Sequence, residues 1–306
     1  MTVIKIRHAY DALLKRFLKR SFRFWQGLGF HITANHFYEP IPDTSSLKDE
    51  LWSKPTALVG VDMNEESQLA LLADFVARFR DEYESLPMEK TSLAYEYHVN
   101  NNLFAAVDGE ILYCMIRYFK PAKIIEIGSG YSTYLSAQAV RRNKTNNRHE
   151  CELIACEPFP NNVLRKGFPG LSKLIPRKIQ DVALSEFESL HENDILFIDS
   201  SHVLKTGSDV QYECLEILPR LNRGVIVHFH DIFLPEEYPK EWITKKFRFW
   251  NEQYLLQAFL SFNDSFEILW AGSYLGLKHP DLFEKTFKSY NRGQTRPGSV
   301  WLRRIK

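Results

Sequence analysis

At 306 residues, 44% of them hydrophobic and 25% charged, the chain has an ordinary globular composition and room for one large domain or a core domain with an extra segment. A net charge of +1 excludes the overall electrostatic bias of a nucleic-acid binder. The cysteines, Cys114, Cys151, Cys156 and Cys214, include no C-x-x-C pair, which argues against a disulfide framework and for apolar fillers in a reducing compartment.

Charges interrupt the N-terminus before an apolar leader region develops, and no run reaches transmembrane length, so a cytoplasmic protein is expected. The two glycosylation sequons, at Asn143 and Asn263, are taken as chance in that setting.

The chain opens with "YDALLKRFLKRSFRFW", in which Tyr10, Leu13, Leu14, Phe17, Leu18 and Phe22 recur at helical spacing. Lys15, Arg16, Lys19, Arg20 and Arg23 fall largely on the other faces, giving a basic amphipathic helix. Such a helix either docks on its own domain or makes peripheral contact with an anionic membrane. Residues 36–55, rich in Pro and turn formers, predict an irregular loop, and 65–83 return to helical spacing. Residues 31–40 and 95–102 are candidate lid segments over an acceptor. A helix is predicted over 108–119, stopped by Pro121.

Strand–helix alternation begins there. The predicted strands are "KIIEIG", "CELIACEP", "KLIPRKIQ", "DILFIDS" and "GVIVHFHD", short and apolar as strands buried on both faces should be. Helices are predicted between them at 131–142, 161–168, 184–191 and 208–218. Near the end come a helix at 249–262 and two strands, "FEILWAGSYLGL" and "SVWLRRI", expected to pair antiparallel at the sheet edge. Repeated βα units predict an α/β fold with a doubly wound, mostly parallel seven-stranded sheet. The expected division is a helical N-terminal extension over 1–104 and the sheet domain over 105–306.

Ligands of such a sheet bind at the carboxyl ends of its strands. The first strand ends in Glu126-Ile127-Gly128-Ser129-Gly130, where glycines allow close backbone approach. The third glycine of a dinucleotide fingerprint is replaced by Thr133, which disfavours a pyrophosphate loop. Glu157, ending the second strand, can accept both hydroxyls of a ribose. Together these features suggest a nucleoside ligand without a diphosphate.

"EIGSG" followed by "ACEP" resembles the first motif and following acidic motif of class I S-adenosylmethionine-dependent methyltransferases, and the resemblance spans about residues 105–305. It implies that Glu126, Gly128, Ser129 and Gly130 surround the methionine part and ribose of S-adenosylmethionine. Glu157 would hold the ribose hydroxyls and Asp181 would contact the adenine.

The fourth and fifth strands end in "FIDSSH" and "VHFHD", which can bring Asp199, His202, His230 and Asp231 together. Two carboxylates and a histidine can bind a divalent cation while a second histidine acts as base. The pattern resembles small-molecule and sugar O-methyltransferases of the macrocin O-methyltransferase-like subgroup. The resemblance implies that Asp199 and Asp231 hold magnesium or another divalent cation and that His202 takes the hydroxyl proton. Glutamate is usual in that subgroup where this chain has His230, and imidazole is a poor magnesium ligand. His228, within the strand, is expected to pack in the sheet. The expected activity is methyl transfer to a hydroxyl of a small molecule or glycan, with no nucleic-acid partner. The alternative is a non-catalytic, membrane- or assembly-docked protein that keeps the fold. A nicotinamide oxidoreductase is disfavoured by Thr133 and the lack of a Tyr-x-x-x-Lys motif.

Overall fold

The computed structural model describes the backbone of residues 2–306 and the side chains of all of these except 2–12, 15 and 147. The first elements are helices α1 (Thr2–Gly27), α2 (Glu50–Ser53), α3 (Glu65–Tyr83) and α4 (Asp108–Phe119). Five parallel strands follow: β1 (Lys123–Ile127), β2 (Glu152–Cys156), β3 (Lys173–Ile175), β4 (Ile195–Ile198) and β5 (Ile226–Phe229). Between them lie α5 (Tyr131–Asn147), α6 (Asn162–Lys166), α7 (Leu184–Glu188) and α8 (Asp209–Tyr212). The chain finishes with α9 (Lys240–Thr244), α10 (Glu252–Leu260), β6 (Phe266–Ala271), α11 (Gly272–Lys278), α12 (Pro280–Thr286) and β7 (Val300–Arg304).

The chain divides into two compact units. One comprises residues up to Ser53 with Pro239–Phe249, and the other Lys54–Tyr238 with Trp250–Lys306. The boundary suggested by the sequence, after residue 104, falls inside the second unit. In the first unit, α1 forms where helical spacing predicts it; Tyr10 and Lys15 of that pattern lie outside the described side chains. Residues 31–40 belong to this unit. Among the described residues no helix is long and apolar enough to cross a membrane.

The second unit contains the whole sheet, in the order β3-β2-β1-β4-β5-β7-β6. β7 lies antiparallel between β5 and β6, so the two closing strands pair as expected. Alternation along each strand sends side chains to two separate cores. Ile124, Leu153, Phe197 and Ile226 pack with α3, α4 and α5 residues such as Phe75, Ile111 and Leu135, while Ile125, Ile154, Leu196 and Val227 pack with Phe187, Ile217 and Leu256. Burial on both faces explains why these strands read as continuous apolar runs.

Two predicted strands are shorter than their apolar runs. "KLIPRKIQ" pairs only over Lys173–Ile175, because Pro176 has no N–H for the ladder, and Ile179–Asp181 form a tight 3-10 turn. "FEILWAGSYLGL" leaves the sheet at Ala271 and becomes α11, which buries Leu275; short apolar runs carry no periodicity that separates strand from helix. The helix predicted over 208–218 keeps its Ser208 cap but changes after Tyr212 into a wider turn over Glu213–Ile217, then a 3-10 turn carrying Pro219. The 95–102 segment is largely buried, with Tyr97, His98, Val99 and Asn101 inside. Asn101 pins it: its amide oxygen accepts from the N–H of Leu103 (3.0 Å) and of Phe104 (2.7 Å).

Candidate active site

β1 and β4 are neighbours, and the loops that leave them touch. Gly128 has a φ of 77°, and a Cβ there would lie 1.8 Å from the Asp199 carbonyl oxygen, so only glycine fits. The Gly128 N–H donates to Cys156 O (3.0 Å) and the Asp199 N–H to Ile127 O (2.9 Å), fixing three strand ends together. Glu157 ties the next loop in: its carboxylate accepts from the N–H of Ser129 (3.2 Å) and of Phe159 (2.8 Å). These two bonds leave acceptor capacity for further hydroxyl donors.

A cleft of about 490 Å³ opens at these ends, lined among others by Gly128, Glu157, Gln180, Asp199 and Ser201. Its volume suits a nucleoside-sized ligand. Asp181 is exposed and does not line it; its neighbour Gln180 does, because the tight turn directs adjacent side chains differently. Glu126 lies wholly buried behind the glycine loop, accepting from Ser132 Oγ at 2.5 Å. Burial pushes its carboxyl up to about 8, against the hydrogen bonds from Ser132 and Thr133. Glu126 Oε2 and Ser129 Oγ are buried without a partner among the described residues, two polar atoms that fit a ligand able to hydrogen-bond at the loop.

Beyond Asp199 the polar groups continue. Asp199 Oδ1 stands 3.4 Å from both His202 Nε2 and His230 Nδ1. Asp231 Oδ2 is 3.7 Å from His202 Nε2 and 3.8 Å from His230 Nδ1. His202 and Asp231 are both left-handed, with φ of 59° and 55°, a conformation that costs energy in non-glycine residues and clusters at functional sites. Phe104, delivered by the buried 95–104 segment, packs against the His230 ring at 4.9 Å between centroids.

Two members of the site come from distant sequence. Glu252, in the first turn of α10 and 1% exposed, meets His202 Nδ1 at 2.9 Å. Trp250 lies against the same imidazole at 4.3 Å, and the Asn251 N–H donates to His202 O (3.1 Å). Asp108, at the start of α4, accepts from the N–H of Gly298 and Ser299 and lies 3.7 Å from His230 Nε2. The sequence offered only faint signals for both: an acid in a predicted helix's first turn, where dipole and capping acids are ordinary.

Electrostatics follow from this crowding. Burial opposes a charge on His202, but its bonds to Asp199 and Glu252 outweigh it and push the imidazole up to about 10. For His230 burial is likewise overcome, by Asp231 and Asp199, and the ring holds its proton. Burial raises Asp199, yet His230 and His202 outweigh it and keep the carboxyl well below its usual range. His228 is the contrast: stacked on Phe197 at 3.9 Å, with Nε2 3.0 Å from Ser299 Oγ, it is kept neutral by burial, the packing role expected for it.

Asp199, His230 and Asp231 each present a ligand atom within 4.8 Å of the other two. Two carboxylates and an imidazole fit a divalent cation, and the imidazole fits manganese, iron or zinc better than magnesium.

Residues 125–232 match the family model described as "Methyltransferase domain". The chain is also similar to an uncharacterised protein of Archaeoglobus fulgidus, 34% identical over 167 residues that make up 52% of this chain and 74% of the relative. Residues 125–232 form a methyltransferase domain, and the seven-stranded sheet that holds it has the class I S-adenosylmethionine-dependent methyltransferase fold. The matched stretch of this methyltransferase runs from β1 to just past β5 and contains every candidate residue named above except Asp108 and Glu252. Solved structures similar to it include an O-methyltransferase from Bacillus cereus in complex with SAH, at 13% identity and a TM-score of 0.36, covering 78% of this chain and 90% of that one. Another is "cmcI-N160 SAH", at 13% identity and a TM-score of 0.37, covering 74% and 91%.

Proposed function

We propose that this methyltransferase transfers the methyl group to a hydroxyl of a small molecule or glycan. The observation that carries this reading is the double position of Asp199. It lines the cleft with Gly128 and Glu157, and it also stands 3.4 Å from His202 Nε2, so a cofactor cleft and a proton-accepting group share one residue.

In this reading Glu126, Gly128, Ser129 and Gly130 form the loop that receives the cofactor, and Glu157 accepts from its ribose hydroxyls. Asp181, being exposed, has only an outer role open to it, and Gln180 takes the place beside the cleft. S-adenosylmethionine supplies an activated methyl group, so the protein's remaining tasks are to orient the acceptor and remove its proton. Glu252 accepts from His202 Nδ1–H and leaves Nε2 directed at Asp199 and Asp231. Asp199 and Asp231 face Nε2, the nitrogen placed to take the acceptor's hydroxyl proton. Asp199, His230 and Asp231 are the residues that would hold a divalent cation, which would offset the charge of the two carboxylates and stabilise a deprotonated acceptor oxygen.

The test uses methyl-labelled cofactor and a panel of glycan and phenolic hydroxyl compounds, with and without added manganese or magnesium. Label recovered as a methyl ether is the expected result. Label found only on nitrogen or carbon would sink the O-methyl reading while leaving the family assignment in place.

A further inference from the structure

The described part of α1 has two unlike faces, and neither is covered by the described residues. At 3.6 residues per turn, Leu13, Phe17 and Phe24 share one side, with Leu14 on its flank. They are 67%, 59%, 62% and 42% exposed. Arg16, Lys19 and Arg23 lie on the adjoining side and Arg20 at the border beside Leu13, all exposed and none in an ion pair among the described residues. From Leu13 to Gly27 the helix carries no carboxylate. Elsewhere in the same compact unit Phe30, Phe37 and Tyr38 are also exposed.

An apolar face of this breadth left in water is unusual on a monomeric protein and marks an interaction surface. Charge selects the occupant. A second copy of α1 would bring the same excess of cations, with no acid between Leu13 and Gly27 to meet them. An anionic lipid surface supplies both the apolar phase for the phenylalanines and the negative charge for the arginines and lysine, whose long stems let the charged ends reach headgroups.

We propose that α1 docks this methyltransferase in the plane of an anionic membrane, with Leu13, Phe17 and Phe24 in the acyl boundary and Arg16, Lys19, Arg20 and Arg23 on the headgroups. The inference rests on α1 alone and is independent of the acceptor reading.

The experiment is co-sedimentation of the full chain with phosphatidylcholine vesicles, with and without phosphatidylglycerol, at low and high salt. Sedimentation at least about tenfold greater on anionic vesicles, falling with salt, is expected. Replacing Arg16, Lys19, Arg20 and Arg23 together by Glu should abolish it. Phe17→Ser with Phe24→Ser should weaken it on every vesicle. S-adenosylmethionine affinity by calorimetry should stay unchanged in both variants, which controls for folding. Equal sedimentation on both vesicle types, or none on either, overturns the proposal. So does a dimer that the phenylalanine variant dissociates in light scattering without any vesicle binding, which would make a second copy the occupant.

Discussion

The two ends of the site are built from opposite materials. At the β1–β2 end, backbone does the work: a glycine with no room for a Cβ, amide hydrogens and one carboxylate bridging two loops. At the β4–β5 end, buried side chains do it: two histidines among Asp108, Asp199, Asp231 and Glu252. A site made of backbone depends on fit and fails through sterics. A site made of buried charges depends on balance and fails through the loss of any one partner.

The largest effect should come from breaking the fit. Gly128→Ala places a methyl group on the Asp199 carbonyl and is expected to cost about 3 kcal/mol or more, read by urea unfolding, and to abolish cofactor binding. Wild-type stability in that variant would mean the two loops are not mechanically joined.

Breaking the balance should spare binding and remove chemistry. His202→Ala is expected to lower turnover by about 10²–10⁴-fold while leaving S-adenosylmethionine affinity nearly unchanged. Glu252→Ala should lower turnover less, and Glu252→Gln, which still accepts from Nδ1–H, should recover part of the loss. If Gln behaves like Ala, Glu252 does not work by orienting the ring. Full turnover in His202→Ala would remove the histidine from the mechanism altogether.

A smaller change is expected for Glu157→Ala, about 1.5–3 kcal/mol of cofactor affinity by calorimetry, with no added loss of turnover at saturating cofactor. Unchanged affinity would take the ribose away from Glu157.

A last test sharpens the comparison through pH. Glu126 is raised from the ordinary 4.5 to about 8 by burial, so between those values the folded chain binds a proton that the unfolded chain releases. Its stabilising contribution is therefore complete below its unfolded value and disappears as pH rises through about 8. Glu126→Gln cannot ionise and should show a flatter decline of stability over that range. Identical slopes in the two proteins would refute the buried-acid assignment.

How much of this was legible in the sequence follows the same division. β1 to β5 were readable because strands buried on both faces are apolar throughout, and the loop after β1 because glycine is the residue such contacts require. Asp199, His202, His230 and Asp231 were readable as neighbours because adjacent strands of a parallel sheet end side by side. Glu252 was not: fifty positions separate it from His202, and no local pattern distinguishes a buried acid in a helix's first turn from a solvated one. Asp181 lies outside the cleft for a different reason. A one-residue difference in a tight turn decides which side chain enters the cleft, and strand-end counting does not resolve it. The helical fate of Gly272–Lys278 was hidden by the ambiguity of short apolar runs.

The contact between Gly128 and the Asp199 carbonyl also bears on how such a domain can be recombined. The segments after β1 and β4 are separated by about seventy positions of chain, yet they must be inherited as a matched pair. A chimera that takes its glycine loop from one parent and the strand carrying the acidic residue from another will tolerate the swap only if both parents set the two backbones equally close. Shuffling libraries of this fold should therefore show a crossover-free block from β1 through β4, much wider than any sequence motif would suggest.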